Sequence, residues 1–156
     1  MTALVQSIRR GRVPTVKKRR KEMEKSEEKV LRVIIAGGRY FDDYELLCKT
    51  ADEILKGYTN IEIVSGHAGG ADRLGELYAV EHDLNYVTFP ADWDKHGRKA
   101  GPIRNSQMLR YAMEQQPMLI AFWDGKSSGT GDTVTKARRL GVESHIIRYG
   151  NTAEAE

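Results

Sequence analysis

The sequence predicts an α/β domain, a doubly wound sheet of about five mainly parallel strands with helices on both faces. Three observations carry that expectation. Short apolar runs alternate with segments of helical periodicity along most of the chain. The runs lack polar alternation, as strands covered on both faces require. Several end in a glycine-containing turn that leads into the next helix, which is the strand-to-helix order of a parallel sheet.

Val30–Ala36 is the first strand, apolar and rich in β-branched residues, and it closes at Gly37-Gly38. Asp42–Lys56 is the first helix, with Leu46, Leu47, Ala51, Ile54 and Leu55 on one face and Asp42 or Asp43 as its cap. Ile61–Val64 is the second strand. Ala71–His82 then spaces Leu74, Leu77, Tyr78 and Ala79 as a helix does. Tyr86–Phe89 is the third strand, followed by an irregular loop over Pro90–Ala100. Gly101-Pro102 marks the start of the helix Ile103–Glu114, since proline suits a first turn. Met118–Trp123, Gly129–Leu140 and Ser144–Arg148 complete the series as strand, helix and strand.

The 156 residues hold 25 Lys/Arg and 22 Asp/Glu, a net charge of +3 that conceals an asymmetry. Residues 1–29 carry ten basic and four acidic side chains, so the remainder carries 15 and 18 and is net acidic. The chain therefore divides into a basic, flexible extension (1–29), one folded domain (30–149) and a short tail (150–156). The run Lys17–Lys21 is either a solvated segment or an arm for nucleic acid, whose phosphates it would meet. A single cysteine, Cys48, excludes an internal disulfide and fits a reducing compartment. No apolar run approaches the roughly 20 residues of a membrane span, and no secretory h-region is found. A cytoplasmic protein without membrane contact is expected. His67, His82, His96 and His145 have no ligand spacing, so neither metal nor cofactor is expected.

In a sheet of this kind ligands bind beyond the carboxyl ends of the strands, so the strand-to-helix loops hold the candidate site. Gly37-Gly38-Arg39 follows the first strand. Its glycines allow close backbone approach, and Arg39 offers a planar fork to phosphate or carboxylate, or simply faces solvent. Gly66-His67-Ala68-Gly69-Gly70-Ala71-Asp72 follows the second. Asp72 there accepts from ribose hydroxyls or caps the helix. Asp124-Gly125-Lys126-Ser127-Ser128-Gly129-Thr130-Gly131-Asp132 follows the fourth strand and leads straight into a helix, whose free N–H groups suit a phosphate, while Lys126 adds a cation or simply faces solvent. The order of residues is not that of a P-loop. In the segment after the third strand, Arg104 and Asn105 fall in the first turn of a helix. A cation opposes the dipole there unless an anion lies nearby. Trp93 either stacks on a base or packs under its loop.

The order and spacing of Val33–Arg39, Gly66–Asp72, Phe89-Pro90-Ala91-Asp92-Trp93, Ala100–Asn105 with Met108, and Ser128-Gly129-Thr130 resemble the YspA-like branch of the SLOG superfamily over residues 31–148. That resemblance implies a Rossmann-like sheet and a nucleotide or nucleotide-derived ligand. It also implies a distant likeness to the LOG phosphoribohydrolases, which cleave the N-glycosidic bond of nucleoside monophosphates. Their Arg-Lys-x-x-Met motif is matched by Arg104-Asn105-Ser106-Gln107-Met108, with Asn105 in place of Lys. Their Pro-Gly-Gly-x-Gly-Thr-x-Glu motif is matched by Gly125–Asp132, with Asp132 at the Glu position and Gly-Lys-Ser in place of Pro-Gly-Gly. If the activity is shared, Arg104 and Asp132 are its catalytic residues. Asp is one methylene shorter than Glu, so ligand binding is the leading expectation, N-glycosidic hydrolysis the alternative and nucleic-acid association a third. The ligand-binding candidates are Gly37, Gly38, Arg39, Gly66, Gly69, Gly70, Asp72, Trp93, Asn105, Ser128, Gly129 and Thr130. The resemblance also implies a homo-oligomer.

Overall fold

A computed structural model describes residues 29–150. Most of the basic extension, including Lys17–Lys21, and most of the tail lie outside the described residues. The five strands are β1 (Leu31–Gly37), β2 (Ile61–Ser65), β3 (Asn85–Thr88), β4 (Gln116–Trp123) and β5 (Glu143–Arg148). They form one sheet in the order β3-β2-β1-β4-β5, and every pairing is parallel. The helices are α1 (Tyr44–Ile54), α2 (Ala71–Glu81), α3 (Trp93–His96), α4 (Ala100–Met113) and α5 (Ser128–Arg139).

The two-residue period of the strands sorts their side chains into two cores. Val33, Ile35, Ile63, Ile120 and Phe122 meet Leu47 and Ala51 of α1 and Tyr78 and Ala79 of α2. Ile34, Ala36, Val64, Leu119 and Ala121 meet Met108, Leu109 and Ala112 of α4 and Val134 and Ala137 of α5 on the other face. The expected α/β doubly wound, Rossmann-like architecture is therefore the observed one. The chain runs outward from β1 to β3, then returns to β4 on the far side of β1. Crossovers of constant hand place the helices on opposite faces before and after that reversal. The β1 and β4 loops consequently diverge and leave a crevice at the switch point.

Two segments differ from the sequence-based expectation. Pro90–Ala100 is ordered structure and not an irregular loop: Asp92 caps α3 by accepting from the Lys95 N–H at 3.1 Å. A 3₁₀ turn follows at Gly97–Lys99, with Gly97 at φ +58°. Four residues are too few to reveal a helical period. The next helix starts at Ala100 and not at Ile103. Pro102 is then its third residue, where no intrahelical N–H bond is lost. Arg104 and Asn105 accordingly sit in the second turn, and the dipole argument for Arg104 weakens.

Candidate functional site

At the switch point lies a cleft of about 680 Å³, bounded by the loop after β1, the loop after β4, the first half of α4 and the end of β5. Gly37 is paired with Phe122 in the sheet. A Cβ on Gly37 would overlap the Phe122 carbonyl and the Ala71 side chain. The Gly38 N–H donates to the Phe122 carbonyl at 3.1 Å. Gly38 in turn lies beneath the Tyr149 hydroxyl, and a Cβ there would overlap it. The backbone thus reaches the cleft only because these two side chains are hydrogen.

The β4 loop is tied by its own side chains before it enters a helix. Asp124 Oδ1 accepts from the N–H groups of Lys126 and Ser127, both at 2.8 Å. Those two bonds hold the Asp124 carboxyl below its ordinary range. Helix α5 then begins, and its first three N–H groups, on Ser128, Gly129 and Thr130, precede the first intrahelical bond from Gly131 to Ser127. The Ser127 hydroxyl does not cap them and donates to Thr130 Oγ1 at 3.2 Å. Ser127, Ser128, Gly129 and Thr130 all line the cleft.

Polar side chains that the core would ordinarily exclude collect around this cleft. Asp72 and Asn105, only 6% and 4% exposed, line it together with Thr130 and Thr133. Asp72 is the second residue of α2, whose N-cap Gly70 makes no side-chain bond. It does not cap the helix: its Oδ2 accepts from the Ala68 N–H at 3.1 Å and ties the loop back on itself. Burial is the chief reason its carboxyl is pushed up to about 6, while the Ala68 N–H and the Arg104 charge pull it down.

Arg104 lies half-buried beside it. Its guanidinium donates to the carbonyls of Gly66 and Phe89 and, through Nε at 2.8 Å, to Asn105 Oδ1. All three acceptors are neutral, and no carboxylate is within ion-pair distance of Arg104 among the described residues. Burial lowers its pKa, and Asp72 offsets part of that. Asn105 completes the bridge, donating to the Gly129 carbonyl at 3.2 Å and to Asp132 Oδ2 at 3.1 Å. Helices α4 and α5 are thereby joined across the cleft floor.

Of the residues singled out from sequence, the cleft wall gathers Gly37, Gly38, Arg39, Asp72, Arg104, Asn105, Ser128, Gly129 and Thr130. Five others lie off it. Gly66 makes room for the Arg104 guanidinium and the Asp72 carboxylate, each within 2.8 Å of where its Cβ would be. Gly70 packs on the Gly38–Arg39 backbone, and Gly69 approaches Arg39. Trp93 is 55% exposed on α3, with its ring near Gly101. The Asp132 carboxylate pairs with Lys136 at 2.9 Å. His67 turns to Glu76 at 2.8 Å and is likewise off the wall.

The wall also includes residues the glycine-rich loops did not reveal: Tyr40, Arg148 and Tyr149. Arg148 donates to the Asp124 carbonyl at 3.4 Å, and Tyr149 packs edge-on against Phe41 at 4.8 Å. Both stand at the carboxyl end of β5. The rule that ligands meet strand carboxyl ends applies there too, although no glycine follows the strand directly.

The sheet order and the glycine-lined crevice at its switch point define a doubly wound α/β domain of the Rossmann-like kind. No helix among the described residues is long and apolar enough to cross a membrane. The chain belongs to the YspA, cpYpsA-related SLOG family, whose model matches residues 31–96. It is 32% identical over 126 residues to the Gene 61 protein of Mycobacterium phage D29, across 77% of this chain and 97% of that protein. No solved structure matches it. Family membership associates the domain with a nucleotide-related ligand-binding or processing role.

Proposed function

We propose that the cleft binds a nucleotide or nucleotide-derived small ligand. A phosphate rests on the N–H groups of Ser128, Gly129 and Thr130, close to Gly37–Arg39, with Arg104 beneath it and Asp72 turned to a ribose hydroxyl. The observation that carries this reading is Arg104, a half-buried guanidinium on the cleft wall with only neutral acceptors. A half-buried guanidinium whose hydrogen bonds all go to neutral acceptors, with the nearby Asp72 carboxyl beyond ion-pair distance, has room for a closer anionic partner, which a ligand would supply. Arg39, Lys126 and Arg148 at the rim favour the same sign of ligand although the body of the chain is net acidic.

Isothermal titration against nucleoside monophosphates, NAD, ADP-ribose and cyclic nucleotides tests the proposal. At least one should release heat and raise the melting temperature. Arg104→Met should weaken that ligand about tenfold or more, the loss of one charge-assisted contact. Absence of heat and of thermal shift with every compound would overturn the reading.

N-glycosidic hydrolysis is the second reading, with Arg104 and Asp132 as its residues. It is motivated by their correspondence to the phosphoribohydrolase motifs. It ranks below binding because Asp132 is held by Asn105 and Lys136 and stands off the cleft wall. Release of free base from a nucleoside monophosphate, lost in Asp132→Asn, would reverse that ranking.

A further inference from the structure

We infer that Tyr40 is the platform on which an aromatic base of the ligand stacks, so that this cleft selects a nucleotide over a bare sugar phosphate. The inference rests on the phosphate-binding reading above and adds the part of the ligand that reading leaves open.

Tyr40 lines the cleft and is 87% exposed, the most exposed of the large hydrophobic side chains among the described residues. Its hydroxyl makes no hydrogen bond to the described protein, and its ring buries almost nothing. Yet the backbone that carries it is held firmly. The Phe41 N–H closes a turn onto the Gly38 carbonyl at 3.1 Å, and the Ala71 N–H donates to that same carbonyl at 3.2 Å. The next residue, Phe41, is buried and clamped between Phe122, stacked at 4.9 Å, and Tyr149, edge-on at 4.8 Å. A flat ring with two side-chain torsions is thus presented from a fixed turn at the mouth of the site, beside Gly38 and Arg39.

The alternatives on the wall are committed elsewhere. Tyr149 uses its ring against Phe41 and its hydroxyl over Gly38. Trp93, the residue whose chemistry would suit stacking best, is not on the wall. Tyr40 is therefore the aromatic face left open to a ligand whose phosphate lies on the α5 cradle across the cleft. Base stacking on an exposed aromatic ring gives a sizeable and base-tolerant gain, and a pre-positioned ring loses little freedom on binding.

The test uses the full chain and two probes, adenosine 5′-monophosphate and ribose 5-phosphate. Wild type should bind the nucleotide about tenfold or more tightly than the sugar phosphate. Tyr40→Ala should erase that difference and leave ribose 5-phosphate affinity unchanged. Tyr40→Phe should keep it. Because the side chain is exposed, the melting temperature of both variants should match wild type. Equal binding of the two probes by wild type, or undiminished nucleotide binding by Tyr40→Ala, overturns the stacking role while the phosphate site stands. Failure of both probes to bind overturns the stacking role, and the phosphate reading falls with it if no compound of the wider panel above binds either.

Discussion

Gly70→Ala should cost the domain about 4 kcal/mol, enough to leave much of it unfolded at ordinary temperature. Two independent effects combine. Gly70 has φ +68° and ψ −127°, a backbone region that only glycine occupies without strain of roughly 1–3 kcal/mol. A Cβ there would also overlap the carbonyl oxygens of Gly38 and Arg39. Those are main-chain atoms and cannot swing aside as a flexible side chain would. The Gly38 carbonyl is fixed by the Phe41 and Ala71 N–H groups, so relief would have to move the β1 loop away from α2. Gly57 provides the control, with φ +90° and nothing within 4 Å of where a methyl carbon would stand. Gly57→Ala should cost only about 1 kcal/mol, the conformational part alone. Urea unfolding of the two variants beside wild type measures both. A Gly70→Ala loss no larger than that of Gly57→Ala would show that the β1 loop yields easily.

This contrast bears on what the sequence could reveal. The centre of the sheet was legible because its strands are buried on both faces, so Val33–Ala36 or Leu119–Phe122 reads as an unbroken apolar run. The location of the cleft followed from topology, since a doubly wound sheet opens at its switch point whatever the side chains. Individual glycines were less legible. Gly37 and Gly70 look alike in sequence, yet one faces the cleft and the other packs a turn. The difference lies in tertiary neighbours, the Phe122 carbonyl for one and the Gly38 carbonyl for the other. Tyr40 and Arg148 carried no local signal at all. Each is an ordinary surface residue until the chain reversal brings the β1 and β5 ends to one crevice. The short helix at Trp93–His96 escaped because a single turn has no period to detect.

Asp72→Asn should have the opposite effect on stability, and its size should depend on pH. The folded-state carboxyl is pushed from its ordinary 3.8 to about 6, first by burial. The folded chain then holds this proton more tightly than the unfolded chain does. Its contribution to stability is complete below about pH 4 and is lost as pH rises through about 6. At pH 8 the ionised carboxylate leaves the fold about 3 kcal/mol less stable than it would be with a neutral group of the same shape. Asparagine is that group, and its side-chain oxygen retains the bond from the Ala68 N–H. Urea unfolding should therefore find Asp72→Asn more stable than wild type at pH 8, by up to about 3 kcal/mol, and nearly equal at about pH 4. An equal change at both pH values would mean that the carboxylate is not the source of the cost. A residue that weakens the fold at neutral pH, set beside a guanidinium that lacks an ion-pair partner, is the arrangement expected of a site kept for its ligand. The two charges sit near one another without forming an ion pair, and each keeps capacity for a further partner. A nucleotide offers both: a phosphate for Arg104 and a ribose hydroxyl for the carboxylate. For a ligand whose own phosphates do not titrate near neutrality, such as ADP-ribose, affinity should therefore rise as Asp72 ionises through about pH 6. That rise should vanish in Asp72→Asn.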